Sequence, residues 1–527
     1  MFRQCNYFLG LLFCCISSQQ VTAQQKNTSP LFESYQKDKA QSMLPDFSYA
    51  GYHCGEKAIP AINNYKVFNV VDFGAKPDDD ISDRDAIQAA INAADKNGSG
   101  IVFFPKGKFL INEDADVRKS IVSKGSNIIF RGSGSGPDGT TLFMKNMLRP
   151  ADTTKMWATP PMFLFTAKGA DTKIAEVKVP AKVGETKIKP ATTDGLKAGD
   201  WIALKLLDNA PALVDAALSP HKVDPAWTYL TTKGVDVCMY YQVTEIANGF
   251  ITLHAPLAYA IDTRYKWTVY KFAHAEEIGI ENMAFAGNWK EKFVHHALWT
   301  HDSGFNLFNL SRCTNSWIKD CRFTDCNIAA MITQSANVTV IDCSITGNRG
   351  HEAISSSHST NVLLANLKDE AAQWHSFGVQ HGSVNTVIWH CTYPSNTCFE
   401  SHASQPINSL FDNVTGGFMA GRQGGALENM PNHLQGLVLW NYTATGNAVK
   451  DFDFWPANDV WFKMVNPMIV GFTGNGSTFK KDQPAYFESM GEKVSPASLY
   501  EAQLQMRLHT IPEWLNKEKT ALSQASK

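Results

Sequence analysis

Six side chains in the second half of the chain are of the types that move protons and hold carboxylates: His351, Glu352, His375, Glu400, His402 and Arg422. Breaking a glycosidic bond by β-elimination beside a uronate has three requirements. The carboxylate must be neutralised, a base must take the C5 proton, and an acid must protonate the leaving oxygen. Arginine or protonated histidine meets the first need. Neutral histidine, titrating near working pH, meets the second, and a tyrosine or another histidine the third. The expected roles are His351 or His375 as base and Arg422 as carboxylate partner, with Lys290, Arg349, Trp374 and His381 as candidate substrate contacts. Hydrolysis is the rival chemistry, using Glu352 and Glu400 as a carboxylate pair. No metal or other cofactor is expected. The cysteines show no CxxC spacing, and Asp78-Asp79-Asp80 lacks the spacing of a calcium loop, so calcium has no support.

These residues lie far apart along the chain, and only a repeat brings them together. Segments opened by Asn315, Asn337, Asn361, Asn385 and Asn408 follow one another at steps of 22, 24, 24 and 23 residues. The third position after each asparagine is apolar (Ile318, Val340, Leu364, Ile388, Phe411). The fifth is polar or ionisable (Asp320, Asp342, Asn366, His390, Asn413), and the sixth is apolar again (Cys321, Cys343, Leu367, Cys391, Val414). The leucine consensus of a leucine-rich repeat is missing, and β-branched runs such as Val338-Thr339-Val340-Ile341 point to strands. A coil of this length suits three short strands and three turns, stacked on the next at roughly 4.8 Å. The asparagines then form a ladder at one turn. The cysteine column reads as core filling, although neighbouring coils also permit a Cys321 to Cys343 bridge.

Counted from the asparagines, His351, His375 and Arg422 fall at one offset, and Glu352 and Glu400 at the next. Stacked coils place equal offsets above one another, which puts the two glutamates roughly 9 to 10 Å apart. That is at the upper edge of the separation used by inverting glycosidases. Adjacent strand positions face opposite ways, so the two columns share a face only where the offset falls in a turn.

The remaining sequence frames this repeat. Arg3, an apolar run over residues 7–16 and Val21-Thr22-Ala23 before Gln24 read as an export signal over residues 1–23. That run is too short to span a membrane, and no later one is long enough. The balance of 48 basic and 50 acidic residues argues against a nucleic-acid binder. A monomer acting on an acidic polysaccharide outside the cytoplasm is expected. Residues 24–64 form an extension, 65–153 a cap and the first coils, 154–274 an inserted β subdomain, 275–440 the central coils, and 441–527 the last coils, a capping helix and a tail. In the first coils an amphipathic helix over residues 82–94, with Ala86, Ile87, Ala90 and Ile91 on one side, would cover the open end of the core. Near the far end, Ser495 with Pro496 reads as a helix start.

Val71-Asp72-Phe73-Gly74-Ala75, Asp85-Ala86-Ile87-Gln88 and Val102-Phe103-Phe104-Pro105-Lys106-Gly107 closely resemble the opening of the pectate-lyase-like superfamily. That resemblance implies an all-β, right-handed parallel β-helix. The superfamily includes polysaccharide lyases, polygalacturonase-type hydrolases and phage tailspikes. The segments at residues 467–471 and 488–504 look like an uncharacterised C-terminal domain of secreted bacterial β-helix proteins. Gly350-His351-Glu352 resembles the Gly-His-Gly motif of polygalacturonases, but Cys326-Asn327-Ile328-Ala329-Ala330 lacks their paired aspartates. The whole pattern looks most like lyases acting on glycosaminoglycan-type or other uronate polymers. A non-catalytic glycan-binding helix is the reading from another class, with Trp299, Trp374, Trp389 and Trp455 as stacking surfaces. Lys292, His295, His296 and His301 either extend a basic subsite or form a solvated loop.

Overall fold

The structure, a computed structural model, describes residue 1 and residues 27–525, and every count below refers to these. The export-signal reading of residues 1–23 lies outside them, apart from Met1. Three parallel sheets wrap one core. The first has thirteen strands, from Val67–Asn69 through Cys313–Lys319, Ala336–Ile341, Leu363–Ala365, Val384–Trp389 and Ile407–Asp412 to Tyr486–Glu488. The second contains Arg322–Thr324 and Ser344–Thr346. The third, with seven strands, contains Ile328–Thr333, Glu352–Ser357, Gly378–Gln380 and Glu400–His402.

The repeating columns have local backbone causes. Asn315, Asn337, Asn361, Asn385 and Asn408 all have φ between 45° and 60°, and the polar fifth column, Asp320 to Asn413, lies between 48° and 54°. Left-handed backbone crowds an ordinary side chain, and Asn and Asp tolerate it best. Each coil therefore turns where an asparagine, aspartate or its substitute occurs. The ladder amides bond along the stack: Asn337 donates to Asn315 at 3.3 Å, Asn361 to Asn337 at 3.4 Å and Asn385 to Asn361 at 2.6 Å. Asn408 leaves the series and donates to the Ala258 carbonyl at 3.1 Å. The cysteine column is buried, and all eight cysteines among the described residues are free, so it fills the core and forms no bridge.

The helix Arg84–Asn97 buries Ile87, Ala90, Ile91 and Ala94 in the same core as Val70, Val102 and Phe104, beside the first strands. The parallel stack still includes Phe163–Phe165, so the insertion begins after this strand and not at residue 154. An antiparallel six-stranded sheet follows, from Thr172–Glu176 to Thr268–Lys271, and Ala275–Glu276 rejoins the coil. Its hairpin Val235–Ala247 and Phe250–Leu253 turns at Asn248 and Gly249, both at positive φ, as a tight hairpin turn requires.

The C-terminal segment differs from expectation in three respects. Its helix is Leu499–Leu508, capped by Ser498, whose hydroxyl accepts from Glu501 N at 3.2 Å. Ser495 is no N-cap, because its backbone is taken up by pairing with the N-terminal segment at Asn27 and Ser29. The helix also does not seal the end of the stack. It lies along the outer face of the first sheet, where Leu499, Tyr500 and Leu504 pack with Leu363, Trp389, Leu410 and Trp440. The expected tail is a further helix, Glu513–Ala525, which buries Leu515 there.

Candidate active site

Pairing along the third sheet revises the expected columns. Ser344, Lys368, Thr392 and Thr415, each seven residues after its asparagine, pair in succession, so the count holds through the second sheet. The turn that follows differs in length from coil to coil, and the count fails beyond it. Glu352 pairs with His375, while Ser355, Gly378 and Glu400 stack together. Glu352 and Glu400 therefore share no column, and the separation expected from simple stacking lapses. His375 is held between His351 and Ala353 by backbone bonds of 2.8 and 2.9 Å.

The side chains converge despite this slip, because His351 sits in the turn before strand Glu352–Ser357 and His375 in the turn before Gly378–Gln380. The rings of His351 and His375 are 5.1 Å apart, and those of His375 and His402 are 6.1 Å apart. Glu400 Oε1 lies 3.5 Å from His375 Nδ1 and is hydrogen-bonded to His402 Nδ1. Gln380 donates to Glu352, and to Ser355 Oγ at 3.0 Å. Arg422 stacks 3.5 Å over the Trp374 ring. Arg422 and Arg349 both donate to the Asn396 carbonyl, at 3.1 and 3.0 Å. Two guanidiniums on one carbonyl repel each other, an arrangement that a bound anion would relieve.

Several polar atoms here are buried without a hydrogen-bond partner in the protein: His351 Nε2, both ring nitrogens of His375, Glu400 Oε2 and Arg422 Nη1. His375 is 2 % exposed and Glu400 1 %. An unmade hydrogen bond of this kind costs about 1–3 kcal/mol, so a run of them is a feature to explain by function. Burial sets the charges. It drives His351 and His375 well below the ordinary histidine range, assisted by the neighbouring imidazoles. Glu352 is pushed up to about 7 by burial and then by the charge of Glu400. Burial also opposes charge on His402, yet Glu400 and then Glu352 outweigh it and raise its pKa. Burial thus disfavours charge on His351 and His375, while the neighbouring carboxylates favour it on His402.

Of the expected substrate contacts, Trp374 and Arg349 join the cluster. His381 lies at its edge, stacked on His358 at 5.6 Å and 5.6 Å from His402. Lys290 is exposed and takes no part in these contacts. Among the tryptophans, Trp389 is fully buried beneath the C-terminal helix and offers no face to a sugar. Trp455 stacks on His221 at 3.9 Å, away from the strip. Sequence reasoning missed Gln380, the Asn396 carbonyl and Gly424. A Cβ on Gly424 would fall 2.3 Å from His402 Nδ1 and 2.7 Å from Glu400 Oε1, so only glycine lets this loop close on the pair. The glycine-rich run Gly421 to Gly425 was the available signal.

Three family models match parts of the chain. One described as rhamnogalacturonase A/epimerase, pectate lyase-like, covers residues 67–149, and one for a right handed beta helix region covers 291–416. The domain of unknown function DUF4955 covers 372–518. Among curated relatives, alginate lyase 7 of Azotobacter vinelandii is 42% identical over 69 residues, 13% of this chain and 8% of that protein. Mannuronan C5-epimerase AlgE3 of the same organism is 37% identical over 90 residues, 16% of this chain and 5% of the relative. Of solved structures, the A-module of the Azotobacter vinelandii epimerase AlgE6 aligns over 80% of this chain and 98% of its own, at 12% identity and TM-score 0.36. PfbA, a surface adhesin of Streptococcus pneumoniae, aligns over 81% and 83% at 13% identity and TM-score 0.39. The coil is a parallel β-helix, and the chain is similar to the right handed beta helix model in its central coils and to the pectate lyase-like model in its first ones. Within it, the DUF4955 segment of this chain supplies His375, Glu400, His402 and Arg422.

Proposed function

We propose that the protein is an exported lyase that cleaves a uronate-containing polysaccharide, of glycosaminoglycan type or another uronan, by β-elimination. The observation that carries this reading is the strip of buried, unpartnered side-chain atoms at His375, Glu400 and Arg422, flanked by a second guanidinium. In this reading His375 Nε2 takes the C5 proton, and Arg422 with Arg349 holds the carboxylate whose neutralisation makes that proton acidic. His402, paired with Glu400, protonates the leaving oxygen, and Trp374 carries a sugar face. The relatives named for alginate and mannuronan, both polyuronates, support the substrate class, and the signal-like pattern of residues 1–23 supports export.

A second reading, hydrolysis, draws support from Glu352. A carboxyl raised to about 7 at Glu352, with a second carboxyl at Glu400, is an acid and base pair in the glycosidase manner. Incubation with a panel of uronans decides between them. Elimination creates a conjugated unsaturated uronate that absorbs in the ultraviolet, and this absorbance is the expected result. New reducing ends without it would replace the lyase by a hydrolase. Neither signal on any uronan would leave only glycan binding.

A further inference from the structure

At one edge of the strip, His295, His296 and His351 each offer a ring nitrogen, all within 4.8 Å of one another. We propose that these three imidazoles bind a first-row divalent transition metal, zinc being the best fit.

Two of the three histidines, His351 and His296, contact the same residue, Asp302. The Asp302 carbonyl lies 3.0 Å from His351 Nδ1, and a hydrogen bond there leaves Nε2, which has no partner in the protein, as the donor. The Asp302 carboxylate is 1 % exposed. Its Oδ1 accepts from the His296 backbone at 3.0 Å, and its Oδ2 lies 3.7 Å from His296 Nε2, close enough to orient that ring. Carboxylate and carbonyl partners that fix ring orientation accompany most histidine metal ligands. The third imidazole, His295, has a buried Nε2 with no partner and stacks between His296 at 3.7 Å and Trp374 at 4.8 Å.

Three nitrogens around a tetrahedral metal at about 2.0–2.1 Å lie about 3.3–3.4 Å from each other. The present spread is wider by at most about 1.4 Å, which ring rotations in the 291–298 loop can close. Imidazole donors select zinc, copper, nickel or iron over calcium, which takes oxygen ligands. Three protein ligands leave a fourth position open, the pattern of catalytic sites, here beside His375, whose ring is 5.1 Å from His351 and 5.5 Å from His295.

The test uses the full-length protein without substrate, so its outcome is independent of the lyase reading. Chelator-treated protein is refilled with Zn2+ or Co2+, desalted and measured by elemental analysis and visible spectroscopy. One metal per chain is expected, with the intense d–d bands of four-coordinate cobalt. His295→Ala and His296→Ala should each lose at least tenfold in affinity. Asp302→Asn should lose about 10–100-fold with the cobalt bands shifted, which distinguishes orientation from mere folding. Each variant is checked by circular dichroism, and a variant that fails to fold is replaced by its glutamine counterpart. Substoichiometric metal in the refilled wild type, or unchanged affinity in folded His295 and His296 variants, would overturn the site. Metal bound by a protein that yields no elimination product in the separate uronan panel would instead leave the site standing and remove the lyase.

Discussion

Two buried polar stacks run up the same helix and are built on opposite terms. In the asparagine ladder each amide from Asn337 to Asn385 donates to the one below, and the left-handed turn it occupies is one that asparagine tolerates. In the strip beside the third sheet, buried nitrogens and oxygens of His351, His375, Glu400 and Arg422 have no hydrogen-bond partner in the protein. A polar group retained for stability is normally satisfied; a series of unsatisfied ones persists where a ligand or reaction completes them. The difference separates scaffold from site without reference to any relative.

The largest effect expected is on turnover. His375→Ala should lower kcat about 10²- to 10⁴-fold, the range for losing a general base. It should leave the thermal midpoint unchanged or higher, because a buried imidazole whose nitrogens make no hydrogen bond is removed. Steady-state kinetics and a melting curve on the same preparation check both halves. A large fall in the midpoint would place His375 with the scaffold.

Asn361→Ala should do the reverse. It leaves Asn385 Nδ2 and Asn337 Oδ1 without their ladder partners and forces alanine into φ near 57°. Together these should cost about 2–4 kcal/mol in urea denaturation, while kcat per folded molecule stays at the wild-type level. Equal losses of activity and stability would dissolve the distinction between the two stacks.

A smaller change sharpens the strip itself. Arg422→Lys keeps the charge but loses the planar stack on Trp374 and the second donor edge. About a tenfold loss in kcat/KM is expected, carried by KM for a carboxylated polymer. An unchanged KM would assign the carboxylate to Arg349 or elsewhere.

Much of this contrast was legible in the sequence, for a definite reason. The ladder repeats because every coil needs a left-handed residue at the same point, and that demand writes Asn315 to Asn408 into the chain at nearly constant steps. The site residues obey no such demand. The turn between the second and third sheets varies in length, so counting from the asparagine placed His375 one position out of step with His351 and Glu400 out of column with Glu352. Gln380, the Asn396 carbonyl and Asp302 were illegible, because their roles depend on which way a loop folds over the strip. Trp389 misled for the converse reason. An aromatic on a solenoid looks available to a sugar until a helix distant in sequence covers it.

Asp412 tests whether satisfaction by hydrogen bonds is enough to make a buried polar group neutral in cost. It lies on the scaffold side, accepting from Ser498 Oγ at 2.6 Å and Tyr500 N at 2.9 Å where the C-terminal helix docks. Burial nevertheless pushes its carboxyl up to about 7, against the lowering effect of those two donors. The folded state then holds a proton that the unfolded chain, with a carboxyl near 3.9, has released. Stability from this group is complete below the unfolded value and is lost as pH rises through about 7. Asp412→Asn mimics the protonated form and keeps an oxygen for both donors. The midpoint of the variant should therefore fall less than that of the wild type between about pH 5 and pH 8, the two curves converging on the acid side. Parallel curves would mean that Asp412 is ionised when buried, and that its donors, Asn413 Nδ2 included, suffice to hold the charge.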